Sequence, residues 1–158
     1  MARVYIGIGS NLGARDANLG RAVELLAARG VRVLKASTVH ETAPWGRKDQ
    51  PPFLNMAVEA ETERGPRELL GLLKGIEREM GRPGRREAGR WGPRVIDLDI
   101  LLYDGLVLDE PDLKIPHPLI HEREFVLAPL AEIAPDAVHP VLGKTVRELR
   151  DSLSEKGS

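Results

Sequence analysis

Residues 95–103, VIDLDILLY, leave this chain few options. Six aliphatic residues and a tyrosine make the run strand-like, yet two aspartates sit inside it, and burying a lone carboxylate is costly. Strand alternation resolves the conflict. Ile96, Leu98, Ile100 and Leu102 fall on one face, and Val95, Asp97, Asp99 and Tyr103 on the other. The apolar face is complete without the aspartates. Both carboxylates then point the same way from backbone positions roughly 6.5–7 Å apart. Like charges that close repel unless a divalent cation, an arginine or solvent lies between them. The fold must therefore bury one face of this strand and open the other to charge.

The rest of the chain supplies partners for such a strand. Residues 3–9, RVYIGIG, alternate with Val4, Ile6 and Ile8 on one face. Asp16 is placed to cap a helix carrying Leu19, Val23, Leu26 and Ala27, which Gly30 ends. Residues 31–40 read as one further strand. ETAPWGRKDQPPF, with three prolines and a glycine, reads as a long loop, and LNMAVEAET (54–62) as another strand. Pro66 opens a helix that buries Leu69, Leu70, Leu72, Leu73 and Ile76. Residues 81–94 form a glycine- and arginine-rich loop leading into the aspartate strand. A short strand at 106–108, a short helix around FVLAPLAEI and a polar helical tail from Val146 follow. The order β-α-β-β-α-β predicts an α+β, ferredoxin-like fold. Its four-stranded antiparallel sheet would carry helices on one face and functional loops on the other, where Asp97 and Asp99 would point.

Composition narrows the function. The chain has 158 residues, a net charge of −1 and no cysteine. One domain over 1–158 is expected, with neither disulfides nor thiolate chemistry, and with no global field to attract nucleic acid or anionic membrane. No apolar run reaches the ~20 residues of a membrane span, and the N-terminus starts directly with a strand pattern, which implies a cytoplasmic protein. GIGSNLG (7–13) imitates a dinucleotide fingerprint, but its third glycine comes one position late. Its glycines read instead as sites of close backbone packing at a strand end. GKT (143–145) lacks the first P-loop glycine, since position 138 is Val138. His117 and His121 have zinc-like spacing but enclose Pro118 and have no cysteine to join them. The third strand offers no aromatic for RNA stacking.

One constellation remains. Arg82, Arg85, Arg86, Arg90 and Arg94 lie among four glycines, immediately before the aspartate strand. Carboxylates that hold a cation beside guanidiniums that grip phosphate oxygens suit chemistry on a polyphosphate. The competing readings are an RNA- or nucleotide-binding module without catalysis, and a metal-dependent hydrolase. A nucleic-acid binder gains nothing from paired carboxylates beside its phosphate site.

RWGPRVIDLDILLYDG closely resembles the signature of the 6-hydroxymethyl-7,8-dihydropterin pyrophosphokinases of folate biosynthesis. YIGIGSNLG, ETAPWG, FLNMAV and IPHPLIHEREFVLAPLAEIAP agree with that family in order and spacing, over residues 4 to 140. The resemblance implies a ferredoxin-like fold and transfer of the terminal pyrophosphoryl group of ATP to the pterin hydroxymethyl group. AMP and the pterin pyrophosphate would be the products. It implies that Asp97 and Asp99 hold two Mg²⁺ ions bridging the ATP phosphates. Arg82 and Arg94 would act on the phosphates as catalytic residues, with Trp91 on the same loop. Lys74, Glu77, Ile100, His117 and Arg123 would line the nucleotide site. Phe53 and Phe125 would sandwich the pterin, Asn55 would pair with its pyrimidine edge, and Thr42, Ala43, Trp45 and Asp97 would complete that pocket. The partners implied are ATP and a reduced pterin, with no nucleic acid, no membrane and a monomeric chain. The chain ends soon after the matching region, so no fused neighbouring enzyme is expected.

Overall fold

The structure, a computed structural model, describes residues 1–11, 14–42, 52–81 and 95–157. Its elements are β1 (Ala2–Ser10), α1 (Arg15–Ala28), β2 (Arg32–Ala36), β3 (His40–Thr42), β4 (Phe53–Thr62), α2 (Pro66–Gly81) and β5 (Asp97–Tyr103). They continue with β6 (Leu108–Glu110), β7 (Leu113–Ile115), α3 (Glu124–Ile133) and α4 (Val146–Gly157). The main sheet has the order β2-β4-β1-β5, and every neighbouring pair is antiparallel. Each of α1 and α2 thus joins two strands that have a third between them, the split βαβ arrangement expected from the element order.

Apolar periodicity explains which side is filled. Val4, Ile6 and Ile8 of β1, with Leu54, Met56 and Val58 of β4, face Leu19 and Leu26 of α1 and Leu69, Leu73 and Ile76 of α2. Pro66 opens α2, and the Glu68 carboxylate accepts the Gly65 N–H at 3.1 Å, so an orphan donor at the helix start is satisfied. Gly30, at φ 88°, ends the turn after α1 in a conformation that costs other residues more. Asp16 does not cap α1. The cap position is Ala14, and Asp16 sits inside the first turn, where its charge favours the helix dipole.

The opposite face is only half open. α3 and α4 cover Ala57, Leu101 and Leu102 with Ile120, Leu127, Leu130, Ile133, Val146 and Leu149. A second helical layer therefore joins the one expected over the sheet. The alternation read along 95–103 holds as far as Ile100 and then breaks. Ile6 pairs with Ile100 but Tyr5 with Leu102, so Leu101 is an extra, bulged residue. Leu101 and Leu102 both join the α3–α4 core, and Tyr103 turns to the α1–α2 side, the reverse of strict alternation. Leu101 is 2% exposed, and Leu101→Ala is expected to destabilise the protein by about 2–5 kcal/mol in denaturant titrations. A change under about 1 kcal/mol would mean that the bulge collapses to fill the space.

Residues 31–40 also divide where one strand was expected. The Ser37 hydroxyl accepts the Ala57 N–H at 2.9 Å and so takes a role in the ladder that a backbone carbonyl would fill. The chain leaves β4 there and rejoins it as β3. Beyond β5, the strand expected at 106–108 forms at 108–110 instead, and pairs with β7 as a hairpin.

Candidate active site

Strand register assembles the site on the uncovered half of the sheet face. Across three strands, Asn55 of β4, Gly9 of β1 and Asp97 of β5 stand in one row, because Gly9 pairs with both others. Gly7 and Asp99 form the next pair. Two inter-strand spacings separate Asn55 from Asp97, roughly 10 Å between backbones. Gly9 leaves room for Asn55: a Cβ at this position would lie 3.0 Å from Asn55 Oδ1 and 3.8 Å from the Phe53 ring, pressing on the amide. This is the close packing at a strand end anticipated for GIGSNLG. Asn55 is buried, and its amide donates to Thr42 Oγ1 at 2.8 Å. Thr42 is opposite Phe53 in the β3–β4 pair.

At the outer edge of β5 is an open cleft of about 400 Å³. Asp97, Asp99 and Ile100 line it from the strand, Lys74 and Glu77 from α2, His117 and Pro118 from beyond β7, and Asp112 and Lys114 from the hairpin. The hairpin wall was not foreseen from the sequence. Only the turn residues of DEPDLKI hinted at it, and they did not show which way it folds. The Glu77 carboxylate accepts the Leu98 N–H at 2.8 Å, and the Leu101 carbonyl accepts the His117 N–H at 3.0 Å.

The ionisable groups are held in specific states. Burial raises the Glu77 carboxyl above its ordinary value, and Asp97 and Asp99 push it the same way, against the Leu98 N–H and Lys74. Burial lowers the His117 imidazole, as does Arg123, against the pull of Asp99. His117 Nδ1 accepts the Leu119 N–H at 3.2 Å, so in the neutral ring Nε2 carries the proton. The Arg123 guanidinium sits over the Phe125 ring, 5.5 Å from its centroid. His121 turns elsewhere and meets His139 edge-on at 6.3 Å, so it does not join His117 in a metal site.

Glu77 carries a pH signature. A carboxyl raised in the folded state binds its proton more tightly there than in the unfolded chain. Its contribution to stability is full below the unfolded value and is lost as pH rises through the raised folded value. Glu77→Gln keeps an acceptor for Leu98 without the charge. Its melting temperature in the ligand-free protein should equal or exceed that of the parent at pH 7, with the difference vanishing near about pH 4. A variant less stable at pH 7 with an unchanged pH profile would overturn this account.

The structure thus brings together Thr42, Phe53, Asn55 and Asp97 as one group, and Lys74, Glu77, Asp99, Ile100 and His117 as another. Arg123, just before α3, lies close enough to His117 for its charge to act on it, and Phe125 lies under the Arg123 guanidinium. Ala43, Trp45, Arg82, Trp91 and Arg94 lie outside the described residues. Asp97 and Asp99 offer hard oxygen donors on one exposed strand face. Among the described residues no set of three His, Cys, Asp or Glu side chains is grouped to enclose a metal. Two carboxylates with room for water and phosphate suit Mg²⁺ better than a closed site would.

Comparisons with known proteins place the chain in a family. The chain is 49% identical over 158 residues to a 2-amino-4-hydroxy-6-hydroxymethyldihydropteridine pyrophosphokinase of Methylorubrum extorquens, covering 99% of this chain and 97% of that one. It is 52% identical over 130 residues to the protein of the same name in Bacillus subtilis, covering 82% and 76%. Among solved structures, a Plasmodium falciparum HPPK-DHPS shares the fold with a TM-score of 0.75 at 16% identity, over 99% of this chain. This chain spans only 44% of that longer one. Residues 5–135 match the family model, and the chain belongs to the 7,8-dihydro-6-hydroxymethylpterin-pyrophosphokinase (HPPK) family.

Proposed function

We infer that the chain transfers the pyrophosphoryl group of ATP to the hydroxymethyl oxygen of 6-hydroxymethyl-7,8-dihydropterin, a step of folate biosynthesis. The row Asn55–Gly9–Asp97 is the observation that carries this reading. It puts a polar-edge recognition group and an acidic residue at opposite ends of a bare backbone patch. A flat bicyclic ring lying over Gly9, with its polar edge on Asn55, directs its arm toward the aspartates. Phe53 and Phe125 supply aromatic surfaces for its faces. ATP enters the cleft along Lys74, Glu77, Ile100 and His117.

The hydroxymethyl oxygen attacks the β-phosphorus, the bond to the α-phosphate oxygen breaks, AMP leaves, and the hydroxyl proton is lost. Asp97 and Asp99 are the residues that would hold Mg²⁺, two ions in this reading, which would neutralise charge on the phosphate oxygens. His117, whose Nδ1 accepts the Leu119 N–H, offers its Nε2 proton to a phosphate oxygen. Arg123 adds a fixed positive charge nearby. Arg82, Trp91 and Arg94 contact ATP in this reading, and Ala43 and Trp45 line the pterin pocket, on the strength of their motifs. Residues 1–158 act as one domain, a monomer in the cytoplasm. Among the described residues no helix is long and apolar enough to cross a membrane.

A nucleic-acid-binding role without catalysis is not favoured, since the family is one of pyrophosphokinases. Incubation with ATP, Mg²⁺ and the reduced pterin, followed by chromatography, tests the reaction. AMP formed together with a pyrophosphorylated pterin is expected. ADP, or AMP formed without pterin, would overturn it.

A further inference from the structure

At the break between β2 and β3, one side chain of α3 gathers three hydrogen bonds. The Glu132 carboxylate of α3 accepts the Thr38 N–H at 2.7 Å and the Thr38 hydroxyl at 2.8 Å, and lies 3.0 Å from His40 Nε2. These bonds hold the Glu132 carboxyl below its ordinary value, so it remains ionised across the neutral range. Thr38 lies in the break between β2 and β3, and His40 opens β3. β3 has three residues and, among the described residues, pairs with β4 alone, too little ladder to fix a strand. Glu132 supplies its second anchor.

The anchored strand leads to the pterin pocket. His40 and Thr42, two residues apart, share a face of β3. Thr42 Oγ1 accepts one N–H of Asn55, which leaves Asn55 Oδ1 turned toward Gly9. We propose that Glu132 is a positioning residue for pterin recognition. By clamping Thr38 and His40 it fixes β3, and through Thr42 it sets which atom of the Asn55 amide faces the substrate. A carboxylate on the surface of the C-terminal helical layer would thereby control an amide one strand away that it does not touch. The proposal rests on Asn55 reading the pterin edge.

Two measurements separate this proposal from its premise. Amide hydrogen exchange without ligand reads the clamp directly. In Glu132→Ala, residues 38–42 should exchange at least about tenfold faster, while β1 and β5 keep their protection. Unchanged exchange at 38–42 would overturn the clamp whatever the substrate is. Calorimetric titration with 6-hydroxymethyl-7,8-dihydropterin, and separately with a non-hydrolysable ATP analogue, reads the relay. Glu132→Ala should weaken pterin binding on the order of five- to tenfold and leave the nucleotide within twofold. Glu132→Gln, which keeps one acceptor oxygen, should fall between, and serves where the alanine variant folds poorly. In an Asn55→Ala background the Glu132 effect should disappear. Equal losses for both ligands, or an undiminished effect in that background, would show Glu132 to be merely structural. A parent protein that binds no pterin would instead remove the premise, and with it the relay.

Discussion

Asp97→Ala and Asp99→Ala should each lower kcat by on the order of 10²–10³, and neither should unfold the protein. The loss follows from geometry. The two carboxylates are the acidic groups that β5 presents to the open sheet face, and in the proposed reaction they anchor the cations that neutralise the phosphates. The fold survives because the apolar side of β5, with Leu98 and Ile100, is untouched. The two variants should differ in one respect. Asp97 is in register with Gly9 beside the pterin row, so its loss should also raise the pterin KM, whereas loss of Asp99 should act through nucleotide and metal. Steady-state kinetics at saturating Mg²⁺ check both points. Near-normal turnover in either variant would refute the assignment of that residue.

Asn55→Ala should weaken pterin binding by roughly 10- to 100-fold and change ATP binding little. A buried amide that pairs with a polar ligand edge cannot be replaced by water at no cost, and its removal leaves the ligand's groups unpaired. The amide is specific in orientation because Thr42 takes one of its protons. The truncation opens space next to Gly9 without disturbing the ladder, since the β1–β4 register depends on backbone groups. Separate titrations of the two ligands decide the matter. Equal weakening of both would make Asn55 a structural residue.

Much of this was legible in the sequence because periodicity reports directly on faces. Val4, Ile6 and Ile8, and Ile96, Leu98 and Ile100, were assigned to the helix-covered side and lie there. Asp97 and Asp99 were assigned to the other side, and their register with Gly9 and Gly7 agrees. What escaped was local chemistry that interrupts a period. The Leu101 bulge leaves no mark in the aliphatic run Ile100-Leu101-Leu102, and it sends Leu102 and Tyr103 to faces opposite those expected. Ser37 looked like any strand residue, and only its bond to Ala57 shows why the strand breaks. The second helical layer was underestimated because α4 is polar in sequence. It is anchored by Val146 and Leu149, with Leu153 packed beside them. Its start was nonetheless written in T-V-R-E, where Thr145 and Glu148 satisfy each other's backbone N–H groups at 3.1 and 2.8 Å. The site divides in the same way. The candidate residues named from motifs lie near one another where they are described, and the β6–β7 wall was not anticipated, since its contribution depends on where a hairpin packs.

Among the described residues β5 is the last strand of its sheet, and such a rim is an invitation to a strand from another molecule. Here Glu77 occupies the Leu98 donor and the His117 N–H occupies the Leu101 acceptor. An incoming chain would have to break both bonds and approach two carboxylates of like charge. The cleft proposed for the nucleotide would thus also guard against intermolecular sheet growth. Substitutions that neutralise Glu77 without keeping its acceptor carry a solubility risk separate from any effect on turnover.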